Sequence, residues 1–169
     1  MIELTTPFSE EAISALTVGD VVSISGYIFC GRDAVLPRIC KELEAGEWEK
    51  RGIDLRGGVI FHTAVSPAGV GPTSSNKLEI EGSFETLSKL GGIKMHLGKG
   101  AIKPETVAML ARENAVFAII PPVTALLESQ TLERECVAFP ELGMEALYRI
   151  KVENYQAIIA AAKGESIYD

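Results

Sequence analysis

The spacing of apolar positions changes from segment to segment along this chain, and the changes predict its elements. Residues 1–8 read as extended, and Ser9-Glu10-Glu11 opens a short helix to about Leu16, with a hydroxyl cap and an acidic first turn. After the turn Val18-Gly19-Asp20, residues 21–29 (VVSISGYIF) are β-branched, aromatic and partly alternating, which predicts a strand broken by Gly31-Arg32-Asp33. Val35, Leu36, Ile39, Cys40 and Leu43 then recur at helical spacing to about Ala45, with Pro37 in the first turn, where its missing N–H costs nothing. A polar connection carrying Trp48 and Gly52 leads to a strand over Gly58–His62. A second long helix starts at Ser83-Phe84-Glu85, turns Phe84, Leu87 and Leu90 inward and stops at Gly91-Gly92. Ile93–Leu97 alternates as a strand before the turn Gly98-Lys99-Gly100.

Pro104–Asn114 predicts a helix with Val107, Leu110 and Ala111 as its apolar positions. The continuous run AVFAII (115–120) predicts a strand covered on both faces. A short helix from Pro122 (Val123, Leu126, Leu127) and strands over Glu135–Phe139 and Leu147–Val152 follow. The alanines of 157–162, then Lys163-Gly164 and Ser166–Tyr168, fit a closing hairpin better than a helix. Strands alternating with helices place the chain in the α/β class, and the polar strands near both ends suggest a second, antiparallel layer. Without repeat, low-complexity stretch or internal linker, residues 1–169 read as one domain.

Composition narrows the partners. With 47% hydrophobic and 23% charged residues the chain reads as soluble and globular. An excess of 23 acidic over 16 basic residues gives −7, which argues against nucleic acid but leaves room for a local anion site once salt screens distant charge. No apolar run approaches the ~20 residues a bilayer requires. The N-terminus has no signal-peptide core either, so the expectation is a cytoplasmic protein without a membrane partner. Cys30, Cys40 and Cys136 are far apart and odd in number, which argues against a disulfide framework. Cys40, on the apolar face of a predicted helix, and Cys136, inside a predicted strand, read as small core residues; Cys30 abuts Gly31-Arg32-Asp33. No metal centre is expected on this chain by itself.

The candidate chemistry centres on Gly69-Val70-Gly71-Pro72-Thr73-Ser74-Ser75-Asn76-Lys77. Glycines bring amide groups close to a ligand, Pro72 stiffens the turn, three hydroxyls follow and Lys77 adds a cation. That mixture suits a small anion; an ordinary polar loop is the other reading. Breaks follow four strands: Gly31-Arg32-Asp33, this loop, Gly98-Lys99-Gly100 and Pro121-Pro122. Ligands of open α/β sheets sit beyond the carboxyl ends of strands, so the first three breaks are candidates to converge, each with a cation: Arg32, Lys77 and Lys99. Arg32 can grip a carboxylate with two parallel hydrogen bonds, whereas the lysines act as point charges. Scattered surface cations are the alternative. Neither lysine completes a phosphate-loop motif, since Leu78 follows Lys77 and Gly100 follows Lys99. Ser66, Ser74 and Ser75 also lack a nucleophile-elbow setting. His62, ending a strand just before the loop, is a candidate ligand contact; His96 reads as a hydrogen-bonded structural histidine. Glu141 and Glu145 flank Gly143-Met144 as an acid pair or as solvated or interface carboxylates.

Five motifs in order carry a resemblance: Val18-Gly19-Asp20, Gly31-Arg32-Asp33-Ala34, Gly71-Pro72-Thr73-Ser74, Gly98-Lys99-Gly100 and Glu141-Leu142-Gly143-Met144-Glu145-Ala146. Nearly end to end, the chain resembles the β subunit, or the equivalent C-terminal domain, of the iron–sulfur hydro-lyases: class I fumarase and L-tartrate dehydratase. The resemblance implies a swivelling β/β/α domain of three layers, with a central, mostly parallel sheet and a second, antiparallel one. It implies a partner α subunit holding a four-iron four-sulfur cluster, and a dicarboxylate substrate bound opposite it. Arg32 then matches the arginine that holds a substrate carboxylate, and Thr73 the hydroxyl proposed for proton transfer. Lys77 falls on a usual arginine, Lys99 on the motif lysine, and Gly71 and Ser74 on the substrate loop, with His62 and Asp33 as further candidate contacts. The Gly143-Met144-Glu145-Ala146 form is more similar to the fumarases, so fumarate hydration to (S)-malate is expected. The alternatives are an L-tartrate dehydratase β subunit and a non-catalytic dicarboxylate-binding or assembly module. Pairing of two copies of this chain stays open. Two departures bear on substrate choice: Lys77 in place of arginine, and Leu36-Pro37 where many members carry His-Lys.

Overall fold

In the computed structural model the described residues are 1–32, 34–63, 65–66, 69–70, 78–98, 102–120 and 131–167. In chain order they form β1 (Ile2–Thr5), α1 (Glu10–Ser14), β2 (Val21–Cys30), α2 (Leu36–Ala45), a 3₁₀ turn at Trp48–Arg51 and β3 (Val59–Phe61). Next come the hairpin strands β4 (Val65–Ser66) and β5 (Gly69–Val70), α3 (Leu78–Lys89), β6 (Met95–Gly98), α4 (Pro104–Arg112) and β7 (Val116–Ile119). The remainder is β8 (Thr131–Ala138), a 3₁₀ segment at Pro140–Glu145, β9 (Leu147–Ala162) and β10 (Glu165–Ser166).

β1, β2, β3, β6 and β7 lie side by side and parallel, as crossovers through α2, α3 and α4 require. β9 then does something short apolar runs cannot announce. Its first part pairs antiparallel with β2 (Cys30↔Tyr148 through Val21↔Ile158), and its last part pairs antiparallel with β7 (Ile119↔Ile158 through Phe117↔Ala161). Hydrogen bonding therefore runs β2–β3–β6–β7–β9 and back to β2. β8 and β10 pair antiparallel with β9, and β4 pairs antiparallel with β5 in a separate two-stranded sheet. The fold is α/β with a mixed sheet.

Alternation along the strands divides the core. Val22, Ile24, Ile28, Val59, Phe61, Met95, Leu97, Val116 and Ala118 join Ile150, Val152, Tyr155 and Ile159 of β9, and Ile13 of α1, in one cluster. The other face of the same strands, through Phe29 and Ile60, meets Leu36 and Ile39 of α2 and Leu87 of α3. Phe117, with Ala160 and Ala161, meets Phe84 of α3 and Val107 and Leu110 of α4. Strands covered on both faces read as unbroken apolar runs, and AVFAII is one.

Several elements differ from expectation. The helix expected from Ser83 already begins at Leu78, and Leu90, expected inward, is 51% exposed because α3 has ended at Lys89. Ala111 faces solvent, and Thr106 and Met109 share the buried stripe of α4 with Val107 and Leu110. Residues 95–98 are buried throughout rather than alternating. The two late strands are longer than expected, β8 starting at Thr131 and β9 running on to Ala162 through Asn154 in the left-handed region at φ 55°. The closing hairpin is present, turning at Lys163-Gly164. Residues 1–8, expected only as extended, contain β1, which is parallel to β2. The helix expected from Pro122 lies outside the described residues. Among the described residues no helix is long and apolar enough to cross a membrane.

Candidate active site

The carboxyl ends of three neighbouring parallel strands stand level. Cys30 of β2 is in register with Phe61 of β3, and Phe61 with Leu97 of β6. One residue further, the Gly31 amide donates to the Phe61 carbonyl at 3.0 Å and the His62 amide to the Leu97 carbonyl at 3.0 Å. Strands lie ~4.8 Å apart, so the last residues of β2, β3 and β6 stand within about 10 Å of one another. Asp33, Gly71, Thr73, Ser74, Lys77 and Lys99 lie outside the described residues.

Arg32 is fixed by its backbone. Its carbonyl accepts from the Val35 and Leu36 amides at 3.1 and 3.0 Å, forming the turn that feeds α2. Gly31 lets that turn sit tight: a Cβ there would lie 2.9 Å from Val35 Cγ1, 3.2 Å from Leu36 Cδ2 and 3.6 Å from Leu147 Cδ1. Gly31→Ala is therefore expected to cost about 1–3 kcal/mol by overpacking. A urea midpoint equal to that of the wild type would sink this account of the turn. Leu36 is wholly buried, so the position where relatives by resemblance carry histidine serves the α2 core here.

The Arg32 side chain, a third exposed, forms an ion pair with Glu145, its Nε 3.4 Å from Glu145 Oε1. The two flanking glutamates thus part company: Glu145 meets Arg32, whereas Glu141 is exposed. The 3₁₀ segment that carries Glu145 also packs against β4, the first strand of the hairpin leading into residues 71–77. The link between Arg32 and Glu145 is non-local, and although each residue stood out in the sequence, nothing there paired them.

His62 and His96 are wholly buried behind this edge. The His96 ring lies 4.1 Å from that of Phe84 and stacks on it, and His62 lies 4.9 Å from Phe84 and 5.8 Å from His96, centroid to centroid. Ser88 Oγ is 2.9 Å from His96 Nε2, the hydrogen-bonded structural role expected of it. Burial holds the His62 pKa down to about 3. Burial, with the neighbouring His62 second, holds that of His96 well below the ordinary histidine value. Both rings are neutral at physiological pH.

The cysteines do not make a thiolate set. Cys30 is sealed in the core and burial pushes its thiol far up, which disfavours the ligating thiolate. Cys40 is buried with its Sγ 3.8 Å from the Ser83 carbonyl, its pKa raised by burial first. Cys136, expected in the core, is exposed, on a strand that among the described residues pairs with β9 alone. Three cysteines on three separate elements do not fit the ligation of an iron–sulfur cluster.

The chain is an α/β fold with a mixed sheet whose parallel strands bring Arg32 to a carboxyl edge, the edge at which open α/β sheets carry their ligands. The Fumarase C-terminus family model matches residues 1–169, and the chain belongs to that family. It is 33% identical to the L(+)-tartrate dehydratase subunit beta of Escherichia coli (strain K12), over 94% of this chain and 81% of that protein. It is 27% identical to the aerobic class I fumarate hydratase of Salmonella typhimurium, over 94% of this chain. It is 28% identical to the anaerobic class I fumarate hydratase of E. coli, again over 94% of this chain. The matched region spans 28% and 30% of those two hydratases.

Proposed function

We propose that this chain is the β subunit of a cytoplasmic iron–sulfur hydro-lyase, most simply one that hydrates fumarate reversibly to (S)-malate. In this reading a separate α subunit holds the four-iron four-sulfur cluster, which supplies a Lewis-acidic iron for the hydroxyl group. The chain forms one domain with the swivelling β/β/α layering, a reading supported by the way β9 joins both ends of the parallel strands. The observation that carries the functional reading is Arg32, just after β2, beside the level carboxyl ends of β3 and β6.

Here Arg32 grips one substrate carboxylate through its guanidinium fork, and Lys77 and Lys99 add point charges. Gly71, Thr73 and Ser74 belong to the substrate loop in this reading, with His62 and Asp33 as further candidate contacts. Hydration adds hydroxide to one alkene carbon and a proton to its neighbour; the reverse step removes that proton next to a carboxylate. Negative charge then grows on the carboxylate, so the cations stabilise the transition state more than the ground state. Thr73 moves the proton only if a neighbouring base takes it in turn, because a free hydroxyl is too weak a base at neutral pH.

The test mixes the chain anaerobically with a candidate α subunit and follows fumarate absorbance, with L-tartrate dehydration assayed in parallel. Fumarate turnover in the mixture and in neither chain alone is the expected result. Turnover of L-tartrate instead moves the reading to an L-tartrate dehydratase, which 33% identity over most of such a β subunit supports as the runner-up. Dicarboxylate binding without turnover on either substrate leaves a binding or assembly module.

A further inference from the structure

On the hydro-lyase reading above, we infer that His96 is a positioning residue, held by α3 so that the segment between β3 and α3, which carries residues 71–77, is fixed at both ends. His96 of β6 is wholly buried, and one face of α3 grips it. Phe84 stacks on its ring at 4.1 Å and 16°, and Ser88 Oγ lies 2.9 Å from its Nε2. Residues four apart stand one above the other on a helix, so the two contacts lie one turn apart and address the same ring. Apolar packing alone is non-directional and tolerates sliding. A directed hydrogen bond beside a stacked ring sets both the rotation of α3 and its height against β6; a slip by one turn would displace it by ~5.4 Å.

The other end of the segment meets the same rings. His62 directly follows β3, its amide donates to the Leu97 carbonyl at 3.0 Å, and its ring packs 4.9 Å from that of Phe84 and 5.8 Å from that of His96. Three wholly buried rings therefore join three elements: β3, after which the segment departs; α3, on which it arrives; and β6, which leads into residues 99–100. The short connection Leu90–Lys94 fixes where α3 ends. The grip on His96 fixes how α3 is rotated, and so where Leu78, next to Lys77, stands. Burying an imidazole costs more than burying an apolar side chain, so packing alone would be served better by leucine; the polar ring contributes direction.

The experiment uses the assembled two-subunit enzyme, with fumarate and L-tartrate as probes, under conditions where a denaturant titration shows each variant folded. Ser88→Ala removes the hydrogen bond and leaves both rings in place. It is expected to lower kcat by about 10-fold with KM little changed, within the ~10²-fold that a ~1 Å misplacement of reacting groups can cost. His96→Phe, which keeps a stacking ring, should lose the same, and adding Ser88→Ala to it should cost nothing further. Ile13→Val, a buried change in α1 that also lowers stability, separates positioning from general loosening and should keep the wild-type kcat. A second readout needs no turnover: the backbone amide resonances of Thr63 and Ile80, at the two ends of the segment, should move in Ser88→Ala and stay in place in Ile13→Val. If the wild-type assembly turns over neither substrate, the hydro-lyase reading fails while these resonances still decide whether His96 seats the segment. Wild-type kcat in Ser88→Ala, an equal loss in Ile13→Val, or unmoved Thr63 and Ile80 resonances in Ser88→Ala overturns the inference.

Discussion

Arg32→Met in the assembled enzyme is expected to lower kcat/KM for the dicarboxylate by roughly 10²–10³-fold, the usual loss when one donor aimed at developing charge is removed. The mechanism is specific to charge. Methionine reproduces much of the arginine stem, so packing of the aliphatic part is preserved while the fork is lost. The side chain is a third exposed, and the turn is held by the Arg32 carbonyl and by Gly31, neither of which changes. Stability should therefore stay within about 0.5 kcal/mol of the wild type. Arg32→Lys should fall between the two, because an ammonium restores charge but not a bidentate grip. Steady-state kinetics beside a denaturant titration separate the effects. Near-normal kinetics in a folded Arg32→Met enzyme would remove Arg32 from the site.

What could be read from the sequence follows from how local each feature is. The strand 115–120 and the capped helix at Ser9 were legible because one short segment carries the whole signal; Ser9 Oγ does accept from the Ala12 amide, at 3.1 Å. The start of α3 was not, since Gly82 within Leu78–Lys89 is a weak helix former that makes Leu78–Glu81 read as loop. β9 read as two pieces because Glu153-Asn154 interrupts its apolar pattern, and only pairing with β2 and β7 carries the strand through. At the site, the order of the breaks located the carboxyl edge, but a sequence holds no distance between Arg32 and Glu145. The stacking of His62, Phe84 and His96 was hidden for the same reason: each residue was visible, and their contact belongs to the tertiary fold.

Those two histidines set the second large expected effect, a loss of stability between pH 6.5 and about 4.5. In the unfolded chain a histidine titrates near ~6.5. In the folded chain burial holds His62 at about 3 and His96 well below its ordinary value. Above pH ~6.5 both states are neutral and the stabilisation is fully present. As pH falls, the unfolded chain takes up protons that the folded one refuses, so stability declines by up to ~1.4 kcal/mol per pH unit for each histidine. His62 alone removes about 2–3 kcal/mol by pH 4.5, against the ~5–15 kcal/mol typical of a domain, and His96 adds to the loss in the same direction. Carboxylates titrate lower. Glu10 is depressed first by its hydrogen bond to Lys94, Glu42 by Arg51 and Asp54 by Arg56, and what they contribute is lost only below the ordinary carboxylate range. Glu10 and Asp54 are well exposed, so their contribution is small; Glu42 is more covered, beside Arg51. Denaturant titrations at pH 7.5, 6, 5 and 4.5 give the slope. His62→Gln and His96→Gln should each make it shallower, whatever each costs at neutral pH, and the double variant should be nearly flat. Wild-type stability that does not change from pH 7.5 to 4.5 would mean that the folded chain admits those protons, and that the stacked pair is open to water.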